Sequence, residues 1–170
     1  FGHCTNLVNA PTIPNSVRFM YRTFFECDSL IDAPAIPEGV VDLSSTFQQC
    51  DKLVNPPVIP NSVTNLVGTF YGCDKLVNAP IIPNSVTTIG NYAFAYCKLI
   101  EINIPDSVTT IGDYAFNGCH SIKSITIPNN IEYIGYGAFK DTELYGNESY
   151  WDNGVLYIDN CLIDVKTELS

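Results

Sequence analysis

At 170 residues the chain is long enough to bury one sizeable core, and 46% hydrophobic against 15% charged residues exclude a disordered segment. Eighteen acidic against eight basic side chains give a formal charge of −10, which repels a phosphate backbone and argues against nucleic acid as a partner. No apolar run approaches the ~20 residues needed to cross a bilayer, so no membrane insertion is expected, and the opening Phe1-Gly2-His3-Cys4 lacks the charged start and apolar stretch of a signal peptide.

From its first residue the chain repeats. Phenylalanines stand at 1, 24, 47, 70, 94, 116 and 139, in steps of 23, 23, 23, 24, 22 and 23. Three residues after the first six come Cys4, Cys27, Cys50, Cys73, Cys97 and Cys119, and Thr142 holds the place after the seventh. Ile-Pro pairs begin at Ile13, Ile36, Ile59, Ile82, Ile104 and Ile127, each followed by a turn such as Asn15-Ser16-Val17 or Asp106-Ser107-Val108. One coil carries too few apolar groups to close a core, but stacked coils share one. Because residue 1 falls inside a repeat, coils upstream of it are expected.

The first four coils read like Leu76-Val77-Asn78-Ala79-Pro80-Ile81-Ile82-Pro83. Their Pro11, Pro34, Pro57 and Pro80 lack the N–H a sheet ladder needs, so the sheet should be short there. Later coils read like Ile122-Lys123-Ser124-Ile125-Thr126-Ile127-Pro128, a half-buried strand with Ile125 and Ile127 inward and Ser124 and Thr126 outward. After each turn, segments such as Val108-Thr109-Thr110-Ile111-Gly112 followed by Ala115-Phe116 admit helical spacing. Gly90, Gly112 and Gly135 each cost ~1 kcal/mol inside a helix, which predicts a short extended piece and then a single helical turn.

Beyond Thr142 the pattern breaks. Asn153-Gly154 between Tyr150-Trp151 and Val155-Leu156-Tyr157-Ile158 is a strong hairpin signal. The chain therefore divides into 1–142, six to seven coils, and 143–170, a hairpin that either caps the last coil or interrupts the repeat.

The later coils, Ile104-Pro105-Asp106-Ser107-Val108-Thr109-Thr110-Ile111-Gly112-Asp113-Tyr114-Ala115-Phe116-Asn117-Gly118-Cys119, resemble the BspA-like leucine-rich repeats over about residues 82 to 142. Residues 1 to 81, with Thr-Phe-x-x-Cys at Thr23, Thr46 and Thr69, are similar to a looser variant. The resemblance implies a mainly β leucine-rich-repeat solenoid, right-handed, with parallel strands on one face and turns and short helical turns on the other. It also implies an extracellular or cell-surface protein with adhesion to host or microbial surface proteins, no cofactor, and no catalytic residue to carry over. The proline-bearing coils depart from the regular pattern.

Six of the seven cysteines fall in one inward column, with neighbours roughly 5 Å apart. Parallel side chains fit the disulfide dihedral poorly, and an odd total argues against a closed framework, so buried free thiols are expected. A one-dimensional ladder does not converge tetrahedrally on zinc, and no metal site is assigned. His3 and His120 lie at opposite ends of a stack. Asp28, Asp51 and Asp74, with Lys52 and Lys75, read as solvated turns with charge pairs in register. Asn147-Glu148-Ser149 is a glycosylation sequon usable only in a eukaryotic secretory setting.

Function is expected on two outward columns of the strand face. One contains Thr12, Ala35, Val58, Ile81, Asn103 and Thr126; the other runs from Ala10, Ala33, Pro56 and Ala79 to Glu101 and Ser124. Early coils make this face small and apolar, and later ones polar. Val58 and Ile81 are read as the centre of a protein-binding patch, with Glu101 and Asn103 on its rim. The strip is alternatively covered by other segments. Two other functions are weighed: a structural spacer, and a polysaccharide-active enzyme, for which the columns supply one carboxylate, Glu101.

Overall fold

The computed structural model describes residues 1–158 and 161–165. The expected tail, 143–170, thus includes positions 159–160 and 166–170 that lie outside the described residues.

Each coil begins at its Ile-Pro turn. The proline carbonyl accepts the N–H three residues on, from Val17, Val40, Val63, Val86, Val108 and Ile131, at 3.0 to 3.2 Å. Serine then links the coils: the hydroxyls of Ser62, Ser85 and Ser107 donate to the carbonyls of Val40, Val63 and Val86 in the preceding coil at 2.6 to 2.9 Å. The Asn-Ser-Val column is therefore an inter-coil hydrogen-bond ladder as well as a turn.

Past the turn, parallel pairing forms. Strands β1 (Thr88–Ile89), β2 (Thr110–Ile111) and β3 (Tyr133–Ile134) make one sheet in the order β1-β2-β3. Thr88 pairs with Thr110 and Thr110 with Tyr133. Single bridges at Phe19, Asp42 and Asn65 extend the same line through the earlier coils. Here the chain differs from the sequence expectation, which places the strand at Ile125 and Ile127 before the turn. Burial does alternate there, with Ser124 and Thr126 exposed and Ile127 buried, but no strand forms over 122–128. Segment length supplies the reason. From ladder cysteine to Ile-Pro the first four coils span 9 residues, the fifth 7 and the sixth 8, whereas from Ile-Pro to the apolar residue just past the pairing line (Met20, Leu43, Leu66, Ile89, Ile111 and Ile134) every coil spans 7. Sheet register survives only where neighbouring segments match in length. In the early coils the pre-turn segments make single bridges only, Asn9 to Asp32, Asp32 to Asn55 and Asn78 to Glu101, their prolines having removed donors.

Around each phenylalanine a folded turn replaces the expected helical turn. N–H groups alternate in direction: those of Met20, Arg22, Phe24 and Glu26 reach the next coil, while those of Thr23, Phe25 and Cys27 reach back three residues. Positive φ lies on either side of the ring, at Arg22, Ser45, Gly68, Tyr92, Tyr114 and Gly137 two residues before it, and at Glu26, Gln49, Gly72, Tyr96, Gly118 and Asp141 two after. Such left-handed residues bend the chain out of an α-helix.

The interior is a row of like side chains. Adjacent rings from Phe1 to Phe139 lie 5.4 to 5.7 Å apart with planes within 12°. Beside them the thiols of Cys27, Cys50, Cys73, Cys97 and Cys119 each donate to the phenylalanine carbonyl of the preceding coil at 3.0 to 3.3 Å. That carbonyl also accepts the N–H of its own coil's cysteine. Cysteine therefore satisfies a second lone pair in a dry core, which a purely apolar residue of its size would not. All five thiols are buried, as expected, but Cys4 in the first coil is exposed.

Thr142 replaces the seventh cysteine and turns the chain elsewhere. Its hydroxyl donates to Phe139 and accepts the Tyr145 N–H, capping helix α1 (Glu143–Gly146). A 3-10 turn over Glu148–Tyr150 leads into β4 (Trp151–Asp152), which pairs antiparallel with β5 (Val155–Ile158). Asn153 and Gly154 both have positive φ, the turn that matches strand twist. Strand β6 (Cys161–Val165) completes this second sheet. Leu144 and Ile158 join the core of the coils.

Candidate interaction surface

All eight residues expected to form the contact face stand out from the core: Val58, Ile81, Glu101, Asn103, Ser124, Thr126, Thr12 and Ala35. Val58 is 85% and Ile81 87% exposed, although each is followed by a buried isoleucine of the Ile-Pro column. The earlier column is less open than expected. Ala10, Ala33 and Ala79 are half-buried and pack against the core, because their coils turn them toward the stack.

The face is not uniform. A groove of about 510 Å³ is lined by Asn78, Ala79, Pro80, Ile81, Glu101, Asn103, Ser124 and Thr126, with Ile82, Ile102 and Ile125. It lies where pre-turn segments of different length keep a single bridge and no continuous ladder. Asn78 bridges Glu101 in parallel fashion and holds the two coils together at one edge. A smaller groove of about 390 Å³ includes Thr12 and Ala35 together with Pro11 and Pro34. Val58 lines neither groove and stands between the coils that form them. Thus five expected residues surround one depression, two border another, and the eighth is a protruding apolar side chain. Sequence reasoning missed Asn78, although its place in the column before Ala79 is visible there.

The other chemistry-bearing groups are structural or dispersed. Burial pushes the Cys50 and Cys119 thiols up to about 12, and those of Cys73 and Cys97 well above the ordinary thiol range. Unreactive thiols follow. The carboxyl of Asp51 is raised, first by desolvation against the coil and then by Asp28 and Asp74, with Lys75 opposing. The expected pairing of lysines with this column does not occur: among the described residues the ion pairs are His3 with Glu26 and Lys123 with Glu143. Lys52 and Lys75 lie on exposed turns and make no ion pair with the column, Lys75 acting on Asp51 only through space. His3 and His120 are both exposed and do not meet, His3 Nδ1 lying 2.7 Å from Glu26. Among the described residues no group of three or more His, Cys, Asp or Glu side chains gathers around an ion site.

Sequence reasoning also missed a whole surface. Tyr92, Tyr96 and Tyr114 occupy left-handed positions, with φ of 57°, 60° and 55°, which cost of order 1–3 kcal/mol each for a bulky residue. Their rings form a ladder: Tyr92 stacks on Tyr114 at 5.2 Å, Tyr71 meets Tyr92 and Tyr96 edge-on at 6.0 and 5.6 Å, and Tyr114 meets Tyr136 edge-on at 5.4 Å. A third groove, about 370 Å³, lies beside it. The alignment of these tyrosines with Gly68, Gly118 and Gly137 is the signal that could have found it.

Stacked coils of one repeated unit, with near-constant inward columns and variable outward ones, define a repeat protein whose surface, not its core, distinguishes it. The BspA type leucine rich repeat region model matches residues 1–66 and 43–162 in 6 copies, and the chain belongs to that family. No catalytic family is indicated. The fold is similar to a leucine-rich repeat protein from Bacteroides ovatus, at 26% identity and a TM-score of 0.58, over 79% of this chain and 48% of that one. It is also similar to a leucine rich cell surface protein from Faecalibacterium prausnitzii, at 28% identity and a TM-score of 0.68, over 94% of this chain and 44% of that one. For a leucine-rich repeat protein of T. pallidum the values are 28% identity and 0.74, over 85% and 67%. The chain spans about half the length of the first two. No curated protein matches it.

Proposed function

We propose that this chain is a non-catalytic protein-binding module of adhesion type, carried outside the cell or on its surface, whose partner is a host or microbial surface protein. The contact face comprises Thr12, Ala35, Val58, Ile81, Glu101, Asn103, Ser124 and Thr126. Residues 1–142 are its presenting unit, a right-handed solenoid, and the tail that starts at 143 either caps the last coil or interrupts the repeat.

The observation that carries the reading is the pair of almost fully exposed aliphatic side chains, Val58 and Ile81, on adjacent coils, with Ile81 at the lip of the 510 Å³ groove. Neither supports the core. Both are side chains whose desolvation by a partner is favourable, by ~1.5–3 kcal/mol for each full burial. Glu101, Asn103, Ser124 and Thr126 supply the polar groups that a rim requires. Family membership and the surface location of the Faecalibacterium relative support the same setting.

The test is a binding screen of the chain against immobilised extracellular-matrix proteins and intact microbial cells, repeated with Val58→Glu and Ile81→Lys. Both changes sit in solvent and should leave Tm unaltered while binding falls ~10-fold or more. Undiminished binding by both variants, or no binding by the wild type, refutes the proposal; the latter is the behaviour of a structural spacer.

A further inference from the structure

The tyrosine ladder on coils four to seven is unexplained by the fold. At the position two residues before the phenylalanine, Gly68 and Gly137 adopt φ of 59° and 62° without strain, while Tyr92 and Tyr114 adopt nearly the same angle with a bulky side chain. The backbone therefore gains nothing from tyrosine there. Glycines instead make room for the rings: a methyl group on Gly118 would lie 2.6 Å from the Tyr96 ring, and one on Gly137 would lie 2.8 Å from the Tyr114 ring. Rings that the conformation disfavours are laid along the surface, with Tyr92 and Tyr96 41% and 47% exposed, and Tyr136, in ordinary backbone, is 67% exposed.

The neighbouring groove states the chemistry. Its lining is Ser45, Gln48, Val67, Gly68, Tyr71, Asn91 and Tyr92, none of them charged, in a chain of net charge −10. A phosphate or a carboxylate finds no counter-charge there. Amide and hydroxyl groups do converge, and Asn91 is held in place because its Oδ1 accepts the Asp113 N–H at 2.9 Å. A neutral polyol satisfies both halves of the site: its C–H groups pack on the parts of Tyr71 and Tyr92 that their ring neighbours leave exposed, and its hydroxyls exchange hydrogen bonds with the amides.

We propose that this face binds a neutral glycan chain, laid across successive coils with sugar rings against the exposed parts of Tyr71 and Tyr92, the latter backed by Tyr114, and hydroxyls against Gln48 and Asn91. It is separate from the strand-face surface and does not depend on it.

Affinity electrophoresis of the 170-residue chain, in gels cast with hydroxyethylcellulose, glucomannan, arabinoxylan or mannan and with heparin as the charged control, tests it. The wild type is expected to be retarded by at least one neutral polymer and not by heparin. Tyr92→Gly with Tyr114→Gly should weaken retardation by ~10-fold or more, while Tm holds or rises because strain is relieved. Gln48→Ala should weaken it by ~5-fold at unchanged Tm. Should the tyrosine variants lower Tm instead, Gln48→Ala decides, and full binding by it overturns the proposal. So does retardation by none of the neutral polymers, including the case in which the patch captures only a protein, and so does undiminished binding by the double glycine variant.

Discussion

Gly112→Ala asks how closely the coils must approach. A methyl group at this position would sit 2.6 Å from the Asn91 nitrogen and 2.9 Å from the Gly90 carbonyl carbon, both backbone atoms of the preceding coil. Ordinary contact begins near 3.4 Å, so the coils must part by roughly 0.8 Å, since moving the Asn91 side chain, whose Oδ1 is the nearest atom, leaves both backbone contacts in place. Two hydrogen bonds cross the same junction: Gly112 N–H to Ile89 O at 2.8 Å and Asp113 N–H to Asn91 Oδ1 at 2.9 Å. Stretched by that amount, both leave hydrogen-bond range. Overpacking costs ~1–3 kcal/mol and each lost bond ~1 kcal/mol, which together come to about 3–5 kcal/mol. At ~2–4 °C per kcal/mol for a domain of this size, Tm should fall by about 6–20 °C. Gly146→Ala is the control, since nothing lies within 4 Å of a methyl group there, and it should change stability by less than ~0.5 kcal/mol. Thermal melts followed by circular dichroism measure both. A Gly112→Ala melt within ~2 °C of wild type would refute close coil approach as the reason for this glycine column.

Two further outcomes follow from the titrating columns. The thiols of Cys27, Cys50, Cys73, Cys97 and Cys119 titrate in the folded chain above their ordinary 9.0, so the folded chain binds more protons than the unfolded one above that pH, and stability should fall as pH climbs from about 9 toward 12. Ellman's reagent at about pH 8 should modify Cys4 at once and these five only after unfolding; rapid native labelling of Cys73 or Cys97 would contradict the dry ladder. Asp51, also raised, opposes the folded state above its folded value and ceases to do so below the unfolded 3.8. Asp51→Asn should therefore raise Tm at about pH 7 by no more than ~2–4 °C and leave it unchanged at about pH 3, as a paired pH series of melts would show.

Which side chains become neighbours is legible in the sequence. The recurrence of Phe, Cys and Ile-Pro at near-constant steps means that stacking places like on like, and the ring row from Phe24 to Phe139 follows from the spacing alone. The outward position of Val58 and Ile81 follows as well, since each precedes an inward isoleucine by one residue. The Asn-Gly hairpin is equally local in origin, because both residues accept the positive φ its turn requires.

Only the tertiary arrangement decides where the parallel sheet forms, what opens the main groove, and where the tyrosines lie. Pairing between coils depends on the lengths of two neighbouring segments at once, so the constant 7-residue span after the turn forms a sheet in the later coils, while the spans of 9, 7 and 8 before it keep a single bridge, Asn78 with Glu101. The alternation of Ile125 and Ile127 by itself cannot register that mismatch. Gly112 illustrates the same divide: a helix breaker in one dimension, it is a point of backbone contact in three. Periodicity fixes the order of neighbours, whereas register, left-handed backbone angles and the distance between coils arise from how adjacent turns settle against each other.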